Sequence, residues 1–318
     1  MKRLVRPTLV TGAIVCALAV AGLTPAHASS SADPDEIAEA VEIAAPTDLD
    51  ALALTHAGDH FVAAPAEGGT IATGVDPADG LSFSSVDGAH ETTVTLPGAG
   101  RLEDAVLSSD GSITFVGSPS VPSVNVITAE DAVRVSTVIT TADQTESFAY
   151  DFGPGAVVEL QNDGSALVLS DDTSDSRVET ILAVIDSPWA RDAAGNVVDT
   201  SYVAAGSVLT QIVDHQEANI VYPVVADPRF DSPNVFQSRV RFTRAETQTM
   251  ADQGVFAFGG AICGPLAAAC IVAAGVVVVQ ASLASNSRPK KCVQITATNA
   301  SLAVGLPPVF WVDHYACK

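Results

Sequence analysis

Positive charge is what this sequence has least of: 15 Lys and Arg stand against 37 Asp and Glu, a formal net charge of −22. So acidic a surface repels nucleic acid, which excludes DNA and RNA as partners of the acidic part of the chain. The usual spacings of chemistry are missing too. There is no Gly-x-Ser-x-Gly elbow, no His-Glu-x-x-His pair and no Gly-x-x-x-x-Gly-Lys phosphate loop, and Gly98-Ala99-Gly100 lacks the third glycine of a dinucleotide fingerprint. No Cys-x-x-Cys pair offers zinc a site, and no Asp-x-Asp-x-Asp-Gly loop offers one to calcium. His56 and His60 would meet at a metal only on a helix, and Gly58-Asp59 between them favours a turn. No catalytic residue, metal ligand or cofactor is therefore expected, although a triad gathered from distant loops would leave no spacing to read.

What is present begins with the grammar of a secretory signal. Lys2, Arg3 and Arg6 precede an apolar stretch over residues 9–23, followed by Ala26-His27-Ala28. Cleavage is expected after Ala28, removing Cys16 with the leader. Cys263, Cys270, Cys292 and Cys317 then remain, an even number in an oxidising compartment, so disulfides are expected among them. The protein is expected to be secreted or held on the outer face of the cell envelope.

Charge divides the chain. Residues 29–228 hold 33 acidic and 4 basic side chains, and residues 229–318 hold 4 acidic and 8 basic. The expected organisation is a signal at 1–28, an acidic arm outside the core at 29–47, an acidic all-β domain at 48–228, a connector at 229–242 and a cationic, apolar module at 243–318. In the β domain, short β-branched runs alternate with turns, and no long amphipathic helix interrupts them. Asp110-Gly111 and Asp163-Gly164 each separate two strands, 105–108 from 112–116 and 156–161 from 166–170. Further strands are predicted at 91–96, 132–140, 146–152, 179–185, 197–203, 208–213 and 219–226. Phe148, Tyr150 and Phe152 occupy alternate positions and mark a buried face. The fold class is mainly β, an antiparallel sandwich or barrel-like domain, followed by a small α+β unit with a helical hairpin and a β-hairpin.

The last third of the β domain reads Trp189-Ala190-Arg191-Asp192-Ala193-Ala194-Gly195-Asn196 and closes with Tyr222-Pro223-Val224-Val225-Ala226-Asp227-Pro228. Asp192 and Asn196 suit a turn around Gly195, Trp189 suits a core anchor, and Pro228 ends a strand. His215, in Asp214-His215-Gln216-Glu217, reads as a polar turn. Over residues 186–229 this wording resembles secreted actinobacterial proteins of unassigned function, and its closing part resembles β-rich regions of large secreted proteins with RHS-type repeats. The resemblance implies lineage and a β architecture, and it brings no catalytic residues.

Near the C-terminus, residues 255–279 read VFAFGGAICGPLAAACIVAAGVVVV without one charge. Thr243 and Glu246 have capping-box spacing, so a helix is expected from there toward Ile262, with Gly264-Pro265 turning the chain into a second helix that ends near Ala284. Residues 292–298 and 309–317 alternate as two strands. If these pair antiparallel, Cys292 comes to Cys317 and Cys263 is left for Cys270, although four cysteines permit three pairings, and Trp311 and Tyr315 would cover the helices. The alternative makes 255–279 a single membrane span with Arg288, Lys290 and Lys291 beyond it. The functional expectation is an exported, non-enzymatic module that binds a protein or cell-envelope partner, with membrane contact through 255–279. A membrane-active, bacteriocin-like effector held soluble by the acidic domain, or a single-pass anchored protein, is the alternative.

Overall fold

The computed structural model describes residues 32–66, 68–86, 88, 90–171, 178–231, 235–254, 274–298 and 309–317. Three antiparallel sheets account for most of them, and none closes into a barrel. The first is a meander of β1 (Thr55–Ala57), β2 (His60–Ala63), β3 (Thr70–Gly74), β4 (Leu81–Ser84) and β5 (Glu91–Val94). The second pairs β10 (Ser147–Asp151) and β15 (Thr200–Ala205) on either side of β16 (Val208–Val213).

The third and largest sheet starts from β6 (Val106–Leu107), β7 (Ile113–Phe115), β8 (Ser123–Thr128) and β9 (Ala132–Ile139). It continues through β11 (Ala156–Leu160), β12 (Ala166–Ser170) and β13 (Val178–Ile185), with β14 (Ala190–Asp192), β17 (Val224–Ala226) and β18 (Arg229–Asp231). It ends in β19 (Gln237–Arg241), β20 (Lys291–Thr298) and β21 (Phe310–Ala316).

All three sheets contribute to one core, in which Ile71 and Phe83 of the first meet Phe148, Tyr150 and Leu209 of the second and Phe115, Val135 and Phe230 of the third. Phe148, Tyr150 and Phe152 are buried as their alternation requires. The two Asp-Gly hairpins share one chemistry: Asp110 Oδ1 accepts from Ser112 N and Oγ, and Asp163 Oδ1 accepts from Ser165 N and Oγ. Only the glycine of each pair takes positive φ, +89° at Gly111 and +88° at Gly164. The aspartate contributes through its carboxylate, not through a left-handed backbone.

Strand β9 is buried along its whole length because both of its faces are covered. Val133, Val135 and Ile139 point to the core, while Val138 on the opposite face meets α1 (Pro34–Ala44). The expected arm at 29–47 is therefore corrected over this helix: Ile37, Val41 and Ala44 form a cluster with Val116, Val138 and Val225. Burying an Ile or Val side chain contributes roughly 1.5–3 kcal/mol, enough to hold a short helix that could not persist alone. Asp33 accepts from Asp35 N at 3.0 Å as N-cap, and Pro34 opens the first turn.

The expected connector at 229–242 is likewise corrected. Its residues form β18, which pairs with β9 and β13, and β19, which pairs with β13 and β20. The C-terminal elements thus extend the large sheet. Thr243 and Glu246 make the capping box that opens α2 (Arg244–Gln253). This helix closes at Gly254, short of the expected Ile262. It packs with α3 (Ala274–Asn286) on Val240, Val293 and Ile295. Cys263, Cys270 and the Gly264-Pro265 turn lie outside the described residues, as does most of the run 255–279. Among the described residues no helix is long and apolar enough to cross a membrane.

The β20–β21 hairpin forms in the expected sense, and Cys292 is bonded to Cys317 with their Cα atoms 5.2 Å apart. Its faces are the reverse of expectation. Register places Phe310, Val312 and His314 opposite Ala297, Ile295 and Val293, so those three share the helix-facing side. Trp311 is left 38% exposed, and Tyr315 lies over the Arg241 guanidinium and donates to the Phe242 carbonyl at 2.9 Å.

Candidate functional site

The two halves of the Trp-Ala and Tyr-Pro-Val-Val-Ala-Asp-Pro wording are neighbours in space. Strands β14 and β17 pair so that Ala190, Arg191 and Asp192 lie opposite Ala226, Val225 and Val224. Asp227 Oδ1 accepts from Trp189 N at 3.1 Å, which locks the start of one segment to the end of the other. Asp192 organises the turn between them. Its carboxylate accepts from Ala194 N, Asn196 N, Asn196 Nδ2 and Val221 N, and Gly195 takes φ +79°. The hydrogen bond from Asn196, ahead of the three backbone donors, holds this buried carboxyl below the usual carboxylate range.

This double segment forms the seat of α1. Val225 and Trp189 pack against Ile37, Val41 and Ala44, and Arg191 Nη1 donates to Ala44 O at 3.4 Å, at the helix end that favours a cation. At the other end Asp35 Oδ1 accepts from Ser109 N at 2.8 Å. Beyond the helix, Arg134 Nη2 donates to Thr47 O at 2.6 Å.

Between the fixed helix and the fixed turn runs a groove of about 450 Å³. Its helix wall carries Glu36, Ile37, Glu39, Ala40 and Ile43; its floor is Val138 and Val225; its far wall is Ala193, Gly195, Tyr222 and Pro223. Ile43 is 72% exposed, although the other large apolar side chains of the helix, Ile37 and Val41, are buried. The Tyr222-Pro223 peptide is cis. Tyr222 Oη donates to the His215 carbonyl at 2.7 Å, and its ring stands edge-on to His215. His215 sits in the expected turn after β16, but its ring is fully buried, with Nε2 3.1 Å from Thr145 O.

The remaining histidines do not converge. His56 contacts Phe61 across the β1–β2 hairpin, His90 stacks on Phe236, and His314 Nε2 donates to Gln280 O at 3.0 Å. No group of His, Cys, Asp or Glu among the described residues is placed to hold a metal ion. A second cavity, lined by Asp48, Asp50, Glu130, Asp131, Asp186 and Arg229, is acidic, with Arg229 paired to Asp186 at 2.7 Å.

Sequence reasoning did not find the buried polar centre beneath the seat. Tyr202 Oη, Gln211 Oε1 and Asp227 Oδ2 have no protein partner, and Thr137 Oγ1 lies 3.3 Å from Tyr150 Oη. Burial pushes the Asp227 carboxyl up to about 8, against the lowering influence of Trp189 N and Arg134. Burial also raises the Tyr150 and Tyr202 hydroxyls. The sequence signal available was the Asp-Pro that closes the second segment, an acid directly after an apolar strand.

No family model matches the chain, and no curated protein matches it. Among solved structures, a family GH92 glycosyl hydrolase is similar over 65% of this chain and 33% of its own, at 12% identity and a TM-score of 0.28. A family GH92 inverting mannosidase from Bacteroides thetaiotaomicron is similar over 58% of this chain and 29% of its own, at 8% identity and a TM-score of 0.25. The chain thus spans about a third of the length of these proteins. At such TM-scores neither likeness bears on fold or chemistry.

Proposed function

We propose that this is an exported, non-enzymatic binding protein whose ligand surface is the groove between α1 and the Asp192–Asn196 turn. The carrying observation is that both walls are fixed before any ligand arrives. The helix is tied at Asp35 and Ala44, and the turn is held by four hydrogen bonds to one carboxylate. A pre-formed concave surface with an apolar floor and few polar groups at its rim is what ligand sites have in common, and little ordering entropy opposes binding there. Filling the groove with Ala40→Trp leaves the buried face of α1 in place. Affinity capture from the producing cell's envelope should recover a partner with the wild-type chain and lose it with this variant. Equal recovery by both would place the binding surface elsewhere.

A second reading, a membrane-active C-terminal part, is favoured by Val276, Val279 and Leu283, which are 52%, 58% and 57% exposed at helical spacing on α3. Dye leakage from anionic liposomes by the whole chain, abolished by Val279→Asp with Leu283→Asp, would support it. Intact vesicles would end it.

A further inference from the structure

We propose that the occupant of the α1 groove is a cationic amphipathic peptide segment of a partner protein, its aliphatic side chains on the floor and its Lys or Arg side chains against Glu36 and Glu39. The inference rests on the binding reading above and adds the ligand class. The floor, Val138 and Val225 flanked by Ile43 and Pro223, is apolar, and the two hydroxyls that line the groove are already donated, Thr140 Oγ1 to Gln144 Oε1 at 3.4 Å and Tyr222 Oη to the His215 carbonyl at 2.7 Å, so the floor selects aliphatic surface. The charges along the rim are of one sign. Glu36 and Glu39 are exposed at i, i+3 spacing, Asp192 lies behind them, and no Lys or Arg lines the groove. Asp192 already accepts four hydrogen bonds, so it supplies potential and not a contact, leaving the two glutamates as the direct acceptors. The field of the whole surface reinforces them, because residues 29–228 carry 33 acids against 4 bases. The α1 wall has 11 residues, a length of about 16 Å, which matches roughly five extended residues or three helical turns of a bound segment.

The test uses the whole chain from Ser29 and three probes: a 14-residue Leu/Lys amphipathic peptide, its Leu/Glu counterpart, and spermine. Titration followed by amide NMR should show the Leu/Lys peptide shifting residues 36–43, 193–195 and 222–225. Glu36→Gln with Glu39→Gln should weaken it by about tenfold and flatten its salt dependence. Glu103→Gln with Glu217→Gln, an equal charge change at exposed positions elsewhere, should leave the affinity within about twofold. Equal weakening by both pairs, or shifts confined to other surfaces, would overturn the proposal as mere attraction to an acidic protein. Binding of the Leu/Glu peptide in the groove, or binding of spermine as tight as the Leu/Lys peptide, would overturn the ligand class and leave the groove as a binding site. If no probe shifts the groove, the ligand class fails, and the Ala40→Trp capture decides the wider reading separately.

Discussion

Asp227 holds two segments together through one carboxylate oxygen while its other oxygen has no protein partner. With its carboxyl raised to about 8 in the fold and near 4 in the unfolded chain, the native state keeps a proton that the unfolded state has released. Between about pH 4 and pH 8 the unfolded state therefore binds fewer protons, and this group lowers stability as pH rises through that window. Asp227→Asn keeps an acceptor for Trp189 N and removes the titration. Urea unfolding should show the variant more stable than wild type at pH 8, by about 1 kcal/mol or more, with the difference shrinking toward pH 4. A wild-type profile as flat as the variant's would contradict the raised carboxyl. A single residue of this kind is hard to read from sequence, because what buries it is remote. His215 teaches the same lesson: its neighbours Asp214, Gln216 and Glu217 advertise a surface turn, and the groups that enclose it are Thr145 and Tyr222. Arg239 is another such case, 1% exposed and paired with Glu179 at 2.8 Å and Glu159 at 3.6 Å across strands far apart in the chain. Burial lowers its guanidinium, and the two carboxylates oppose that effect. Arg239→Met should cost about 2 kcal/mol in urea unfolding, a value discounted because both glutamates are partly exposed. A neutral result would mean that Arg241 alone satisfies them.

Elements were legible where their own residues carry the signal. The capping box at Thr243, the turns at Asp110 and Asp163 and the aromatic alternation at Phe148 are local facts, and each formed as read. The meander β1–β5 was largely missed because its first four strands are three to five residues long, with exposed or polar alternation too brief to outweigh the turn residues around them. The segment that forms α1 was read as an acidic arm and placed outside the core. Its apolar face of Ile37, Val41 and Ala44 is narrow, and the strip that receives it is assembled from Val116, Val138 and Val225 on three separate stretches. The groove was illegible for the same reason: one wall is the helix at 34–44, the other the turn at 192–196. Since that wall exists only when the helix is docked, weakening the cluster should open the groove before it unfolds the sheets. Ile37→Ala with Val41→Ala should lose about 3–5 kcal/mol of local packing. Hydrogen exchange at residues 35–44 should then accelerate strongly while β9 and β13 stay protected. Uniform loss of protection would show that the helix is integral to the global unfolding unit.

At the scale of the whole molecule, the inversion of charge near residue 228 is a pairing rule, not a domain boundary. The late, basic residues Arg239 and Arg241 sit on β19, and their partners Glu159 and Glu179 belong to the acidic half, on β11 and β13. Charges that separate in sequence therefore close against each other in one sheet. Phe230, just past the inversion, is fully buried against Phe83 and Phe152. A two-domain chain would melt in two steps, with the Cys292–Cys317 bond affecting the later module alone. A continuous sheet predicts one calorimetric transition that responds as a unit. The bond closes a loop of sequence separation 25, so removing it with Cys292→Ala and Cys317→Ala should cost about 3 kcal/mol. Spread over a chain of this size, that loss lowers the midpoint by about 5 °C. Because β20 is wedged between β19 and β21 and communicates with the core through β13, the shift should appear in near-ultraviolet signals from Tyr150 and Tyr202 as well as in those from Trp311. Two resolved transitions, with the core tyrosines unmoved by loss of the bond, would restore the boundary near 228 and reduce the Arg239 and Arg241 pairs to a docking contact.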